Sequence, residues 1–216
     1  MRSIVIVAAL LFGARAAHAD AAADVKLGEK YLNGDGVKTD EAKAFGLFVK
    51  ACDAKNGTGC MYAGGMTIKG TGTTADAAKG FALREKACTL NNGPACNDLG
   101  TSWSEGKEGA AKIDLAKAKS MYEKACNLKD GLGCYNFGNV YRLGEGVTVD
   151  LKQALTYFGT SCDLDQPKGC TELGIMYYEG KAVPKNVAKA TELLTKSCKL
   201  GSDVACKNVE LLKKAN

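Results

Sequence analysis

Ten cysteines and one histidine are the residues of this 216-residue sequence best suited to covalent or metal chemistry. The cysteines form five pairs, and seven residues separate the two members of every pair. The pairs are Cys52 and Cys60, Cys88 and Cys96, Cys126 and Cys134, Cys162 and Cys170, and Cys198 and Cys206. Zinc sites use cysteines with about two to four intervening residues and usually histidine as well, so this spacing disfavours zinc. A turn of seven residues can bring the Cα atoms of the two flanking cysteines within disulfide distance. We therefore predict one disulfide bond inside each pair.

Residues 1–19 have the composition of a signal peptide. Arg2 gives a positive start, residues 4–12 form an apolar run, and small residues flank His18 near the expected cleavage site. The apolar run is about half as long as a bilayer-spanning segment, so no membrane anchor is expected after cleavage. We therefore predict export to the periplasm or out of the cell, where disulfides persist.

The only histidine, His18, lies in the predicted signal peptide and would leave with it. A mature chain without histidine excludes Ser-His-Asp and Cys-His catalytic sets and every histidine-ligated metal site. We expect no metal and no cofactor. The formal net charge of +5 is modest, so we also expect no nucleic-acid partner.

A repeat organises the chain, because the first cysteines of successive pairs are 36, 38, 36 and 36 residues apart. Each second cysteine opens a pattern with an apolar residue three positions later, a glycine four, an aromatic residue seven and a glycine ten positions later. The third pattern shows it in full, with Cys134, Phe137, Gly138, Tyr141 and Gly144. Spacings of three and four predict one helical face, and the last glycine suits a helix C-cap.

A second helix is predicted in each repeat. It follows a polar residue that suits an N-cap and recurs at the same position of each repeat. These residues are Asp40, Asp76, Asp114, Asp150 and Asn186. The first cysteine of a pair ends this helix, so the predicted fold class is all-α with two helices per repeat. The predicted segments are repeats at about 24–55, 56–91, 92–129, 130–165 and 166–201, and a C-terminal capping helix at 202–216.

The pattern L-G-x2-Y followed by A-x3-F/Y is similar to the tetratricopeptide repeat. More specific are the K-A-C endings at Lys50-Ala-Cys52, Lys86-Ala-Cys88 and Lys124-Ala-Cys126, and paired glycines such as Gly34-Asp-Gly36. They resemble Sel1-like repeats, in particular the Helicobacter cysteine-rich protein family. The resemblance implies a right-handed αα-hairpin solenoid that is stapled by disulfides, exported and used as an interaction scaffold.

Three positions depart from this pattern. Asp24 replaces a cysteine, Thr67 replaces an aromatic residue, and Glu210 replaces a glycine. The last change suits a terminal helix, which needs a polar outer face.

The resemblance also implies an alternative function, because members of the Helicobacter family carry a β-lactamase or penicillin-binding attribution. A serine β-lactamase needs S-x-x-K, S-D-N and K-T-G motifs. The chain has one S-x-x-K, Ser104-Glu-Gly-Lys107, and lacks the other two. Ser104 and Lys107 are therefore weak catalytic candidates, and the alternative is a β-lactamase or a protein that binds a β-lactam or a peptidoglycan fragment.

The interaction hypothesis predicts a binding surface on the first helices of the repeats. By analogy with tetratricopeptide arrays, positions three, four and seven after the second cysteine face the core, and positions one, five and eight face a groove. The predicted groove residues are Asn97, Thr101, Ser104, Tyr135, Asn139, Arg142, Thr171, Ile175 and Tyr178. Amide, hydroxyl, guanidinium and aromatic groups suit a protein or an extended peptide, whose carboxylate Arg142 could pair.

Overall fold

The computed structural model describes residues 20–110 and 112–214. The predicted signal peptide at 1–19 lies outside the described residues. Across the described part, all regular secondary structure is helical. In chain order the helices are α1 (20–33), α2 (Glu41–Asp53), α3 (Gly57–Lys69), α4 (Ala77–Thr89), α5 (Gly93–Glu105), α6 (Leu115–Asn127), α7 (Gly131–Leu143), α8 (Leu151–Asp163), α9 (Pro167–Glu179), α10 (Val187–Lys199) and α11 (Asp203–Lys214).

Polar side chains start the second helix of each repeat at the predicted N-caps. Asp40 accepts a hydrogen bond from the backbone N–H of Lys43 at 2.9 Å. The equivalent contact recurs at the other predicted N-caps, which are Asp76, Asp114, Asp150 and Asn186. Each cap satisfies a backbone donor that has no partner within the helix, so these predictions are confirmed.

Glycine ends the first helix of a repeat in the left-handed conformation. At the C-caps of α3, α7 and α9, Gly70, Gly144 and Gly180 have φ values of +74°, +73° and +73°. Residues with a side chain are strained at this φ, which explains why glycine recurs at this position of the sequence pattern. None of the described helices is both long and apolar enough to cross a membrane.

The described residues form two compact units. Of these residues, the first unit consists of 20–95, 105–110 and 112, and the second consists of 96–104 and 113–214. Phe48 is fully buried at the centre of the first unit, among alanines of α1, α2 and α3. In the second unit, Phe137 of α7 and Phe158 of α8 are buried in two neighbouring clusters, one from each helix of a single hairpin. Each hairpin thus contributes an aromatic or aliphatic layer to the core of its unit.

Disulfides join the end of one repeat to the start of the next. The Cα–Cα distances are 4.4 Å for Cys52–Cys60, 4.3 Å for Cys126–Cys134, 4.4 Å for Cys162–Cys170 and 4.7 Å for Cys198–Cys206. Cys88 and Cys96 are disulfide-bonded as well. The predicted oxidation of nearest sequence neighbours is confirmed for the four bonds whose distances are given, and each of these ties a second helix to the helix that follows it.

The disulfides differ in how far solvent reaches them. The eight cysteines before residue 198 are buried, whereas Cys198 and Cys206 are both half-buried. Thiol–disulfide exchange needs access to a sulfur atom. The bond that holds α11 to α10 is thus the one most open to reductants.

A glycine recurs four positions after the second cysteine of a pair because the two helices of a hairpin approach closely there. A Cβ atom on Gly138 in α7 would lie 2.7 Å from Cε1 of Phe158 in α8. The equivalent glycines Gly28 and Gly100 meet Phe48 and Tyr122 at 2.7 and 2.6 Å. Glycine at this position lets the aromatic side chain of the second helix lie directly on the first helix.

The structure adds position six to the predicted core positions three, four and seven. Position six after the second cysteine is buried, as in Met66, Val140 and Met176. The aromatic residue at position seven is only half-buried, as in Tyr141, whose ring packs edge-on against Phe137. A large ring at the margin of the hairpin keeps one edge exposed, while a smaller aliphatic side chain at position six fits between the helices.

Candidate functional site

Three polar side chains predicted to bind a partner share one face of α7 in the second unit. Tyr135, Asn139 and Arg142 are spaced by four and three residues, and all are half-buried. The Asn139 side-chain oxygen accepts hydrogen bonds from Nε and Nη2 of Arg142 at 3.0 and 2.8 Å. Among the described residues, Arg142 has no ion-pair partner. The guanidinium is therefore held in position while its charge is left for a ligand.

Arg142 lines a pocket of about 350 Å³ between α7, α8 and α9, which we call the charged pocket. Its other lining residues are Leu151, Glu172, Ile175, Met176, Glu179 and Lys181. Lys181 and Glu179 pair with each other at 2.8 Å. Glu172 has no ion-pair partner within the described part of the chain, so Arg142 and Glu172 are the two charges of this pocket that can act on a ligand.

A second pocket of about 310 Å³ adjoins the charged pocket, and we call it the apolar pocket. It is lined by Ile175, Tyr178, Leu194, Asn208, Leu211 and Leu212 from α9, α10 and α11. Ile175 lines both pockets. Ile175 and Tyr178 were predicted from the sequence, whereas Leu211 was not. Leu211 is nevertheless the equivalent of Ile175, because each stands five positions after the second cysteine of a pair, Cys206 and Cys170.

Tyr135 keeps part of its ring accessible at the other end of the α7 face. Its ring centroid lies 5.9 Å from that of Phe158, and Nζ of Lys168 lies 5.7 Å from the Tyr135 centroid. Tyr141 and Tyr157 stack nearby with centroids 5.8 Å apart. Burial raises the pKa of Tyr157, and the neighbouring Tyr141 and Glu123 raise it further. The Tyr157 phenol is therefore neutral at physiological pH and provides apolar support for α7.

The predicted groove residues of α5 are more enclosed. Asn97 is only 4% exposed, and its side-chain oxygen accepts a hydrogen bond from Nδ2 of Asn136 at 2.7 Å. Thr101 donates to the Asn97 carbonyl and accepts from the Tyr122 hydroxyl, both at 3.3 Å. Asn97 thus orients Asn136 on the next first helix instead of presenting its own amide to solvent.

Thr171, the equivalent of Asn97 on α9, is also buried. Its hydroxyl lies 2.8 Å from the Ser197 hydroxyl and donates to the Pro167 carbonyl at 3.0 Å. The first of the three predicted groove positions therefore faces a neighbouring helix in α5 and α9. Only positions five and eight, and Tyr135, reach the surface of the second unit.

The weak catalytic candidates do not form an activated nucleophile. Ser104 donates a hydrogen bond to the Thr101 carbonyl at 3.0 Å and lies 3.3 Å from the Tyr122 hydroxyl. Lys107 pairs with Glu105 at 3.2 Å. Within the described part of the chain, Ser104 has no amine as a hydrogen-bond partner, and a serine nucleophile needs an adjacent base. Within residues 20–110 and 112–214, no group of three or more His, Cys, Asp or Glu side chains could hold a metal ion.

The Sel1 repeat profile matches five consecutive segments of the chain, at residues 21–56, 59–92, 93–130, 131–166 and 167–202. The chain belongs to the Sel1 repeat family. The family resemblance drawn from the K-A-C endings and paired glycines is thereby confirmed. Sel1 repeats and the related tetratricopeptide repeats generally mediate protein–protein interactions. The chain is a helical Sel1 repeat scaffold with disulfides between successive repeats.

Solved structures of other Sel1 repeat proteins are similar to this one. A Sel1 repeat protein from Oxalobacter formigenes is 26% identical, with a TM-score of 0.81 over 87% of this chain and 76% of that one. The protective antigen c5321 of uropathogenic Escherichia coli is 29% identical, with a TM-score of 0.74 over 89% of this chain and 41% of that one. Cysteine-rich protein B of Helicobacter pylori is 34% identical, with a TM-score of 0.51 over 62% of this chain and 94% of that one. No curated protein matches this Sel1 repeat chain.

Proposed function

We propose that this Sel1 repeat protein is an exported scaffold that binds a partner protein through an extended segment of that partner. The segment lies on the surface formed by α7 and α9 in the second unit. Arg142 carries the proposal, because its guanidinium is half-buried, held by Asn139 and without an ion-pair partner among the described residues. A positioned, unpaired guanidinium is suited to a carboxylate of the partner.

The groups around Arg142 suit a peptide. Glu172 can accept N–H groups of a peptide backbone, Ile175 and Met176 offer apolar surface, and Tyr135 presents part of an aromatic ring. Extended segments are recognised by such a mixture, in which polar groups fix the main chain and pockets select side chains. A first-helix face of a repeat array provides the length for this mode of binding.

Export is supported by the state of the cysteines and by the N-terminal sequence. All ten cysteines are disulfide-bonded, and disulfides of this density persist in the periplasm or outside the cell. The likeness to the disulfide-rich Helicobacter protein favours the same location. Residues 1–19 have a positive start, an apolar run and small residues at the expected cleavage site. The β-lactamase alternative gains no support from Ser104, whose hydrogen-bond partners among residues 20–110 and 112–214 include no basic side chain.

Replacing Arg142 is expected to reduce partner capture at least about tenfold. The purified protein, an Arg142→Gln variant and a Lys152→Gln variant would be used as baits for the envelope fraction of the source cells, with bound proteins quantified by mass spectrometry. Lys152 is exposed on α8, so its substitution removes the same charge from another surface. A charge-assisted pair contributes about 1.5–3 kcal/mol, which corresponds to a loss of about 10- to 100-fold in affinity.

The result that supports the proposal is a protein captured by the wild type and by Lys152→Gln but depleted at least about tenfold with Arg142→Gln. Equal capture by all three baits would contradict it, because binding would then occur elsewhere on the scaffold. A wild-type bait that captures no more than unrelated protein would contradict it as well.

A further inference from the structure

We infer that the bound segment carries an acidic side chain in the charged pocket and a large apolar side chain, two residues away, in the apolar pocket. This inference rests on the proposed function and specifies the chemistry of the partner. Arg142 of α7 lines the charged pocket, whereas Leu211 and Leu212 of α11 line the apolar pocket. The apolar pocket is therefore a separate source of selectivity at the same surface.

The apolar pocket is a gap that the chain does not fill with its own side chains. Leu194 is buried at its base, and α11 is anchored there through Ala205 and Val209. Tyr178 and Leu211 stand at the opening with 42% and 64% of their surfaces exposed. Exposed apolar side chains around a pocket gain about 25 cal/mol for each Å² that a ligand covers. A single leucine, phenylalanine or tryptophan side chain suits an opening of this kind.

The two pockets lie side by side on α9 and share Ile175 as a lining residue. The residues of α9 that line the charged pocket run from Glu172 to Glu179, and Tyr178, which lines the apolar pocket, falls within that span. The pockets are therefore separated across the helix, by about the width of the shared side chain. In an extended peptide, side chains two positions apart point the same way and are separated by about 7 Å. A bound segment can therefore fill both pockets with residues in an i, i+2 arrangement.

The charges around the two pockets favour an acidic segment. Lys181 is neutralised by Glu179, but Arg142 has no carboxylate partner in the described part of the chain. Nζ of Lys185 lies 5.1 Å from the ring centroid of Tyr178, at the opening of the apolar pocket, and Lys185 likewise has no ion pair among the described residues. Among the described residues around the two pockets, the unpaired cations Arg142 and Lys185 thus outnumber the unpaired carboxylate of Glu172. A carboxylate next to the apolar residue of the segment complements this excess of positive charge.

The position of the charged pocket favours an internal acidic residue over a chain terminus. The surface extends from the charged pocket in two directions, to the apolar pocket through the shared Ile175 and along α7 to Asn139 and Tyr135. A segment that contacts both sides passes through the charged pocket instead of ending in it. The carboxylate is therefore that of an Asp or Glu side chain.

The test uses a fluorescent peptide with blocked ends, Ac-Ala-Ala-Asp-Ala-Phe-Ala-Ala-NH2, and its reversed form with Phe before Asp. Matched peptides replace Asp by Asn or Phe by Ala, and one further peptide replaces Asp by Ala and ends in a free carboxylate. Anisotropy titrations would use the wild type, Arg142→Gln, Leu211→Ser and the control Lys152→Gln. Leu211 is mostly exposed, so its substitution leaves the core of the second unit intact.

The inference expects the wild type and Lys152→Gln to bind one of the two Asp/Phe peptides. Replacing Phe by Ala should weaken wild-type binding at least about tenfold but have little effect on Leu211→Ser, since burial of a large apolar side chain contributes about 1.5–3 kcal/mol. Replacing Asp by Asn should likewise weaken binding to the wild type and have little effect on Arg142→Gln. A loss of affinity that occurs with the wild type but not with Leu211→Ser would place the Phe side chain in the apolar pocket. A loss that occurs with the wild type but not with Arg142→Gln would place the Asp side chain in the charged pocket.

Equal losses in the variants and the wild type would overturn the inference, because the side chains would then bind elsewhere. Tightest binding of the free-carboxylate peptide would overturn the internal acidic residue. If no peptide binds while envelope capture still depends on Arg142, this inference fails and the proposed function stands. If peptides bind as expected but envelope capture is independent of Arg142, the proposed function fails instead.

Discussion

Reduction of all five disulfides is expected to unfold the protein at neutral pH without denaturant. Each bond closes a loop of only eight residues in sequence separation, as at Cys126–Cys134. The chain-entropy estimate for such a loop is about 2.5 kcal/mol. Five bonds then contribute on the order of 10 kcal/mol, which is comparable with the whole stability of a typical domain. Far-ultraviolet circular dichroism during titration with a phosphine reductant measures this loss of helix.

The order of reduction provides a more detailed check on the same prediction. Cys198–Cys206 is half-buried and the other cysteines are buried, so this bond should be reduced first. Differential alkylation and peptide mapping at each reductant concentration would identify it. Because α11 lines the apolar pocket, selectivity for a large apolar residue should be lost before the helical signal falls. A fully reduced protein with unchanged circular dichroism and melting temperature would contradict the stabilising role of the disulfides.

Substituting Gly138 by valine is expected to destabilise the second unit by about 2 kcal/mol or more. A Cβ atom at this position lies within 2.7–2.8 Å of two ring carbons of Phe158, and Phe158 is fully buried and cannot move aside. Overpacking of this kind costs about 1–3 kcal/mol, and the branched side chain of valine adds further contacts. The measurement is the shift of the urea unfolding midpoint with the disulfides intact.

Gly159→Val is the matched control for this substitution. Gly159 lies in α8, and an added Cβ atom has no neighbour within 4 Å. Valine there exchanges one residue of low helix propensity for a slightly better one, so stability should change by less than about 0.5 kcal/mol. Equal destabilisation by both variants would show that loss of glycine in any helix, and not contact with Phe158, causes the effect.

The periodic features of this chain could be predicted from its sequence because each has a local cause. Disulfide pairing follows from the spacing of the cysteines around a tight corner. The N-caps follow from carboxylates such as Asp40, and the helix ends follow from glycines such as Gly70, because capping involves only nearby backbone groups. The arrangement of Tyr135, Asn139 and Arg142 on one face follows from the period of the helix.

Features that depend on contacts between repeats could not be predicted in this way. Asn97 was predicted to face a groove, but its partner Asn136 is 39 residues away and no local pattern identifies the pair. Leu211 could not be identified by its repeat position, because Glu210 breaks the repeat pattern in α11. The apolar pocket needs three helices at once, so it becomes visible only when their side chains are placed together.

Site-specific photo-crosslinking in living cells tests most directly whether α7 and α9 hold a partner. A photoreactive phenylalanine analogue would replace Tyr135 on α7 or, as the control, the exposed Thr156 on α8. The proposed function predicts one dominant protein adduct from position 135, its loss when Arg142→Gln is added, and no such adduct from position 156. Adducts that are equal at both positions, or that persist with Arg142→Gln, would contradict the assignment of the binding surface.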